Sequence, residues 1–171
     1  MISAKDAVDL TELRHTAAEL RFMQAMIAHH AQALEMTGLL VTRTSREDML
    51  LLGRRIDLSQ ADEIELMRDW LKARGVRLSD AQHAHDGALM PGMLTADQMR
   101  RLAEAKGAEF DRLFLEFMIA HHEGALVMVD ELFAARGSGQ QSDVFAFASD
   151  VDADQRIEID RMSAMLEERR K

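Results

Sequence analysis

Apolar residues recur along this chain at spacings of three and four, which is the period of an α-helix with one buried face. No stretch shows the sustained alternation of a half-buried strand. Thr44 and Thr95 each open a T-x-x-E/Q pattern, which is typical of a helix start closed by a capping box. The pattern predicts long helices over about 6–43, 44–75, 109–136 and 143–168, and a short helix after Thr95 that Gly107 bends or ends. We therefore expect an all-α fold, an antiparallel four-helix bundle.

The chain contains an internal repeat. The segment FMQAMIAHHAQALEM at 22–36 returns 92 positions later as FLEFMIAHHEGALVM at 114–128. The pattern Q-x-x-E-I-x-x-M at 60–67 likewise returns 95 positions later, at 155–162. Such a repeat predicts two tandem helical hairpins related by a pseudo-twofold axis. We expect a single domain over 1–171, with one half over about 6–75, a linker over about 76–94 and the other half over about 95–171.

Composition argues against several classes of protein. The formal net charge is −9 and basic residues form no long run, so a nucleic-acid partner is not expected, because that binding needs clustered Lys and Arg. No window approaches the roughly 18 apolar residues of a membrane span. The N-terminus lacks the basic start and apolar core of a signal peptide. With no cysteine, the chain has neither disulfides nor thiolate metal sites.

Each copy of the repeat places two histidines where the helical pattern predicts core. His29 lies in an apolar seam with Met26 and Met36, at spacings of three and seven. His30 falls on the adjoining apolar stripe, about 100° around the helix. The second copy has the same arrangement, with Met118, His121, His122 and Met128. All four histidines are predicted to face the bundle interior.

The partner helices also carry polar residues in their predicted core seams. These seams hold Gln60, Glu63 and Met67 in the first half, and Gln155, Glu158 and Met162 in the second. Because an unpartnered polar group is costly to bury, we expect these side chains to meet the histidines or a metal ion. A hydrogen-bonded network that fixes helix register and a metal site are both consistent with this pattern.

The metal interpretation favours copper. Thioether and imidazole donors without thiolate suit a soft monovalent ion such as Cu(I), while zinc and iron remain alternatives, as does a layer without metal. The candidate ligands are His29, His30, His121, His122, Met26, Met36, Met118 and Met128, with Glu63, Glu158, Met67 and Met162 as further candidates. A ferritin-type dinuclear centre needs repeated Glu-x-x-His, and the chain has this spacing once, from Glu12 to His15.

Two further groups are weaker candidates. The linker segment HAHDGALMPGM contains His83, His85, Met90 and Met93, which form either a second metal site or a solvated loop. Glu19 and Asp111 occupy matching positions of the repeat and are candidate hydrogen-bond acceptors for the histidines, or else solvated carboxylates.

No cysteine nucleophile, nucleophile-elbow serine or glycine-rich phosphate loop is present, so we expect a non-enzymatic protein. The alternatives are a ferritin-like metal-dependent oxidoreductase, and a structural bundle whose surplus apolar face makes a homodimer.

In combination, the two MIAHH segments, the two Q-x-x-E-I-x-x-M patterns and MPGMLTADQM leading into FDRLFLEFMIAHHEGALVM resemble the bacterial family called domain of unknown function 305. The resemblance spans nearly the whole chain. It implies a ferritin-like four-helix bundle with a His-His pair in each half. Members of the family are typically exported or lipid-anchored, and some are similar to periplasmic copper-binding proteins that act in copper resistance. The resemblance thus implies an extracytoplasmic role, periplasmic or secreted, in copper sequestration or transfer, with a delivery partner that the sequence does not identify.

Overall fold

The computed structural model describes residues 15–76, 90–137 and 142–169, and over these ranges the chain is helical with no strand. The helices are α1 Ala17–Gly38, α2 Leu40–Arg43, α3 Glu47–Ala73, α4 Ala96–Glu104, α5 Gly107–Ala134 and α6 Ser142–Glu168. Within the same ranges, no helix combines the length and apolar character needed to cross a membrane. The four long helices α1, α3, α5 and α6 confirm the predicted bundle elements.

The first helix is shorter at both ends than predicted. Thr16 is extended and caps α1, because its Oγ1 accepts a hydrogen bond from the Glu19 amide while the Glu19 carboxylate accepts one from the Thr16 amide at 2.7 Å. The predicted continuation upstream is therefore wrong at Thr16, and residues 6–14 lie outside the described ranges. At the other end the helix breaks at Leu39 before the single turn of α2.

One of the two predicted capping boxes is wrong. Thr44 does not cap α3, which begins at Glu47 after Arg46, and the Thr44 hydroxyl instead accepts a hydrogen bond from the Arg46 amide at 3.2 Å. The second capping box is confirmed, since Thr95 and Gln98 close the first turn of α4 reciprocally. Helix α4 ends at Glu104, and Gly107, with a φ of +56°, opens α5.

The helices pack as two antiparallel hairpins, α1 with α3 and α5 with α6, joined through α1 and α5. Buried apolar side chains form two separate clusters, which we call the Trp70 cluster and the Phe114 cluster. The first half of α1 lies in the Trp70 cluster and its end in the Phe114 cluster, while α5 runs the other way. Along each long helix, buried polar residues separate the two clusters: His29, His30, Gln60, Glu63, His121, His122, Gln155 and Glu158.

Two ion pairs close the bundle between α3 and α6. Arg74 Nη2 lies 3.0 Å from Asp143 Oδ2, and Arg169 Nη2 lies 2.7 Å from Asp48 Oδ2. Both the two aspartates and the two arginines are 95 positions apart, which is the offset of the sequence repeat. The pseudo-twofold symmetry predicted from the repeat therefore extends to the ends of these helices.

The loop before α4 lies across α1 and α5. Gln32 on α1 binds the Leu94 backbone twice, donating to its carbonyl at 3.0 Å and accepting from its amide at 2.8 Å. On α5, Gly124 makes room for the loop, because a Cβ atom there would lie 2.0 Å from the Pro91 carbonyl oxygen. Gly92, with a φ of +75°, would likewise meet the Ala120 carbonyl at 2.4 Å if it carried a Cβ. The loop and the helix thus touch backbone to backbone.

We predict that Gly124→Ala lowers the free energy of unfolding by about 1–3 kcal/mol, because the new methyl group displaces the Pro91 carbonyl from α5. Urea unfolding measures this change. The matched control is Gly38→Ala, at a helical glycine with no atom within 4 Å of the added Cβ. That substitution should raise stability by about 0.5–1 kcal/mol. An equal gain at both positions would contradict the close approach of the loop.

Candidate functional site

The histidines of the repeat form a buried layer at the centre of the bundle. His29, His30, His121 and His122 are all at most 1% exposed. The rings of His29 and His121 stack across the interface of α1 and α5, with centroids 3.9 Å apart and planes inclined by 36°. Within each adjacent pair the centroids are 6.3 Å apart and the planes inclined by 56°, in both halves alike. The four rings therefore share the pseudo-twofold symmetry of the fold, with the His29–His121 stack at its centre.

The two outer histidines bind the buried carboxylates of the partner helices. His30 Nε2 forms a short hydrogen bond with Glu63 Oε2, and His122 Nε2 lies 2.5 Å from Glu158 Oε2. Glu63 is 7% exposed and Glu158 is 4% exposed. Each bond joins the two helices of one hairpin. This confirms the expectation that the core carboxylates meet the histidines.

The two inner histidines are not equivalent. His29 Nε2 donates a hydrogen bond to the Pro91 carbonyl at 2.9 Å, so its Nδ1 carries a lone pair that has no partner among the described residues. Within the same part of the chain, neither nitrogen of His121 has a partner in hydrogen-bond geometry. Buried nitrogens without partners are uncommon in folded proteins. Here Nδ1 of each of the four layer histidines is buried without a partner among the described residues, and His121 alone of the four lacks a partner at Nε2 as well.

Burial keeps His29, His30 and His121 neutral. Desolvation, assisted by the neighbouring imidazoles, lowers the pKa of His29 and of His30 from 6.5 to about 3, although the Pro91 carbonyl partly opposes this for His29. Desolvation lowers the pKa of His121 in the same direction, with a smaller opposing effect of the His29 backbone. Burial and repulsion by Glu158 raise the pKa of Glu63 from 4.5 to about 7. At neutral pH the inner rings therefore present uncharged nitrogens.

The predicted methionines flank this layer on both sides. Met26 and Met118 each lie one turn before an inner histidine, and because α1 and α5 are antiparallel they approach the stack from opposite clusters. The Trp70 cluster holds Met26, Met67 and Met128, and the Phe114 cluster holds Met36, Met118 and Met162. All six are at most 7% exposed. The six thioethers are therefore divided between the two sides of the layer.

The described residues contain no group of three or more His, Asp or Glu side chains arranged to hold a metal ion. The predicted nitrogen and oxygen donors are instead brought together in pairs. Gln60 and Gln155 belong to the same layer, each 1% exposed, and Gln60 Oε1 and Gln155 Nε2 have no partner within the described ranges. The layer thus contains more polar atoms than its own hydrogen bonds satisfy.

The weaker sequence candidates lie away from this layer. The carboxylate of Glu19 accepts a hydrogen bond in the capping box of α1, and Asp111 Oδ2 lies 4.0 Å from Arg46 Nε, so the prediction that they accept hydrogen bonds from the histidines is wrong. His83 and His85 lie outside the described residues. Met90 packs against the Trp70 cluster.

Two features of the site were missed by sequence reasoning. The Pro91 carbonyl binds His29 from a loop 62 residues away, and no spacing in the sequence indicates this contact. A pocket of about 330 Å³ between α3 and α6 reaches Glu63 and is also lined by Asp62, Asp150 and Asp154. Burial and the neighbouring carboxylates raise the pKa of Asp154. On α6, Asp150, Asp154 and Glu158 follow one another at spacings of four, and this spacing is the signal that could have predicted an acidic face there.

Known proteins of the same fold support the family resemblance. The model of the family described as domain of unknown function (DUF305) matches residues 19–166. A DUF305 protein from Streptomyces coelicolor, which is inferred to be secreted, is 28% identical to this chain. The two structures match with a TM-score of 0.77 over 89% of this chain and 92% of that one. A DUF305 fragment from Deinococcus radiodurans is 28% identical, with a TM-score of 0.76, over 90% of this chain and 97% of that one.

CopM in its Cu(I)-bound form has the same fold at a TM-score of 0.66, with 24% identity over 91% of this chain and 98% of CopM. No curated protein matches the chain. These likenesses confirm the helical-bundle fold predicted from the repeat.

We predict that the stability of the metal-free protein falls as the pH is lowered from about 6.5 to 4.5. Over this range the unfolded chain protonates His29, His30 and His121, whereas the folded chain does not, so acid favours unfolding. Glu63 has the opposite effect on stability, because in the folded chain its carboxyl group holds a proton up to about pH 7. Each proton that is bound by only one of the two states changes the free energy of unfolding by about 1.4 kcal/mol per pH unit. Urea unfolding at a series of pH values measures the slope.

Glu63→Gln tests the opposing contribution. The variant should show a steeper loss of stability between pH 6.5 and 4.5 than the wild type, because it lacks the Glu63 carboxyl group, which favours folding in acid. Glu65→Gln, at an exposed position of the same helix, should follow the wild-type curve. Identical curves for all three proteins would show that Glu63 is not the group that titrates.

Proposed function

The chain belongs to the DUF305 family, and we propose that this member binds copper as Cu(I) at the centre of its bundle. The observation that carries the proposal is the His29–His121 stack, whose nitrogens are buried, neutral and incompletely partnered within the described chain. A metal ion bound between α1 and α5 would satisfy these nitrogens. The ligands would then be His29 Nδ1 and a nitrogen of His121.

The surrounding donors favour a monovalent ion. Met26 and Met118 offer thioether sulfur from the turns next to the stack, and thioether with imidazole is a donor set that suits Cu(I). A divalent ion such as Zn(II) would bring two charges into a layer between two apolar clusters, at a greater desolvation cost. His30 and His122, held by carboxylates, would support the inner pair.

In a single copy of the chain, the surface pocket between α3 and α6 would be the route of entry for a cation. The pocket beside Glu63 is lined by four carboxylates and, among the described residues, by no basic side chain. Clustered negative charge attracts cations and raises their local concentration. From this pocket the Glu63–His30 hydrogen bond leads into the histidine layer.

The biological role that best fits these features is to hold or pass on Cu(I) outside the cytoplasm, without catalysis. The Streptomyces coelicolor relative, whose secretion is inferred, supports this location. CopM, which shares the fold, has been seen in a Cu(I)-bound form, and copper is therefore the first metal to test. A purely structural role for the layer is favoured by its two His–Glu hydrogen bonds, and titration with Cu(I) separates the two functions.

We predict that anaerobic titration of the metal-free protein against a Cu(I) chelator shows Cu(I) binding that excess Zn(II) does not displace. His121→Phe and His29→Phe keep an aromatic ring in the stack but remove its nitrogens, so each should weaken Cu(I) binding by about 100-fold or more. The control is His15→Phe, at an exposed histidine beside Trp70.

Wild-type Cu(I) affinity in both the His29→Phe and His121→Phe variants would refute the proposed ligands. Failure of the wild type to bind Cu(I), Zn(II) or Fe(II) would leave the layer structural, and an Fe(II)-dependent oxidase activity would support the ferritin-like enzyme instead.

A second prediction concerns the sulfur donors. Met26→Leu with Met118→Leu should weaken Cu(I) binding about tenfold or more and remove sulfur scattering from the X-ray absorption spectrum of the bound copper. Leucine conserves volume, so folding should change little. Met23→Leu with Met49→Leu is the matched control, since these methionines are equally buried in the same two clusters. Equal effects of the two pairs would rule out a special role for Met26 and Met118.

A further inference from the structure

The outer surface formed by α3 and α6 is unusually apolar for a solvent-facing surface. Leu51, Leu58 and Leu66 on α3 are 54%, 70% and 60% exposed, and Ile157 on α6 is 55% exposed. The three leucines are spread over about four turns of α3, where they line the two surface pockets between α3 and α6. Exposed apolar side chains gathered on one face mark a contact surface more often than scattered ones do.

The charges on this face are divided between its two halves. Arg54, Arg55 and Arg161 line a groove of about 680 Å³ at one end of the seam, and Asp62, Asp150 and Asp154 line the 330 Å³ pocket towards the other end. None of these six residues forms an ion pair with another described residue. Asp48 and Glu168 lie at the outer edge of the basic groove, where Asp48 is already paired with Arg46 and Arg169.

We propose that this face binds a second copy of the chain, in a twofold symmetric, antiparallel dimer. A twofold axis across the seam places the basic half of each protomer on the acidic half of its partner, so the contact is made twice. On α3, Leu58 lies between these two contacts, and Leu51 and Leu66 lie outside them. The face is complementary to itself, in charge as well as in apolar character.

The positions of the residues along α3 fit this arrangement. Arg55 and Asp62 lie equally far from the point between Leu58 and Ser59, and so do Leu51 and Leu66. An antiparallel crossing at that point therefore sets Arg55 opposite Asp62 of the partner subunit and Leu51 opposite Leu66 of the partner subunit. At about 1.5 Å per residue, the charge pairs fall about 5 Å from the crossing point and the leucine pairs about 11 Å from it.

Helix α6 repeats the match. Asp150 and Arg161 lie five and six residues from Gln155, so an antiparallel crossing of the two copies of α6 near Gln155 pairs each with the opposite charge of the partner subunit. A parallel dimer would instead bring the Arg55 end against the Arg161 end, and like charges across an interface are costly. A uniformly basic or uniformly acidic partner would likewise be repelled by half of the face. The charge pattern thus selects the antiparallel second copy.

Sedimentation analysis of the metal-free chain, residues 1–171, tests the dimer. We expect the wild type to form dimers at concentrations of about 100 μM, and Arg55→Asp and Asp62→Arg each to raise the dissociation constant about tenfold or more. Each single variant places like charges opposite each other twice. The double variant, and an equimolar mixture of the two single variants, restore opposite charges and should dimerise again.

Two variants outside the face serve as controls. Arg101→Asp reverses an exposed charge on α4. Val41→Glu places a charge at an exposed apolar residue outside the face, and it is compared with Leu58→Glu, which places one inside the face. Thermal unfolding followed by circular dichroism checks that every variant is folded. A wild type that stays monomeric overturns the proposal and leaves the face to a partner of another kind. Dimers that persist in the single variants, or mixtures that fail to associate, also overturn it, because association would then use another surface.

Discussion

The fold depends on how a polar layer is buried between two apolar clusters. Each hairpin contributes one buried carboxylate to this layer, and burial without a partner would cost several kcal/mol. The His30–Glu63 and His122–Glu158 hydrogen bonds offset that cost within each hairpin. A slip of α3 against α1 by one turn would leave Glu63 facing apolar side chains, and the same holds for Glu158. The two bonds therefore fix the register of the hairpins, while the apolar clusters on either side supply most of the stabilisation.

The linker makes the two halves inequivalent. The repeat alone would give His29 and His121 the same surroundings, but the Pro91 loop has no counterpart in the second half among the described residues. The close contact at Gly124 and the two hydrogen bonds of Gln32 hold that loop in place. As a result His29 is tethered through Nε2, whereas His121 is held by packing. A ligand entering the layer meets one fixed ring and one with both nitrogens available.

Much of the fold could be predicted from sequence because the repeat carries it. The offsets of 92 and 95 paired the helices correctly, and the apolar seams correctly indicated which histidines and carboxylates are buried. Helix ends were less predictable, since the apolar pattern continues upstream of Thr16 and favoured a longer helix over the T-x-x-E pattern at 16–19 that marks the cap. The Thr44 pattern matched a capping box in letters, but α2 ends at that point and Arg46 takes the cap position.

The arrangement within the site could not be predicted from the sequence. Spacing along one helix predicts which residues share a face, but it does not predict which ring of α1 stacks on which ring of α5. Long-range contacts of a loop, such as Pro91 with His29, leave no periodic signal.

The position of the His29–His121 stack bears on the number of ligands that one chain could bind. A duplicated chain ordinarily carries two copies of whatever one half binds. Here the matching histidines of the two halves meet on the symmetry axis, and a point on a twofold axis is its own copy. The two halves therefore contribute to one shared centre that neither half could form alone, and the Cu(I) proposed above would bind there as a single ion per chain.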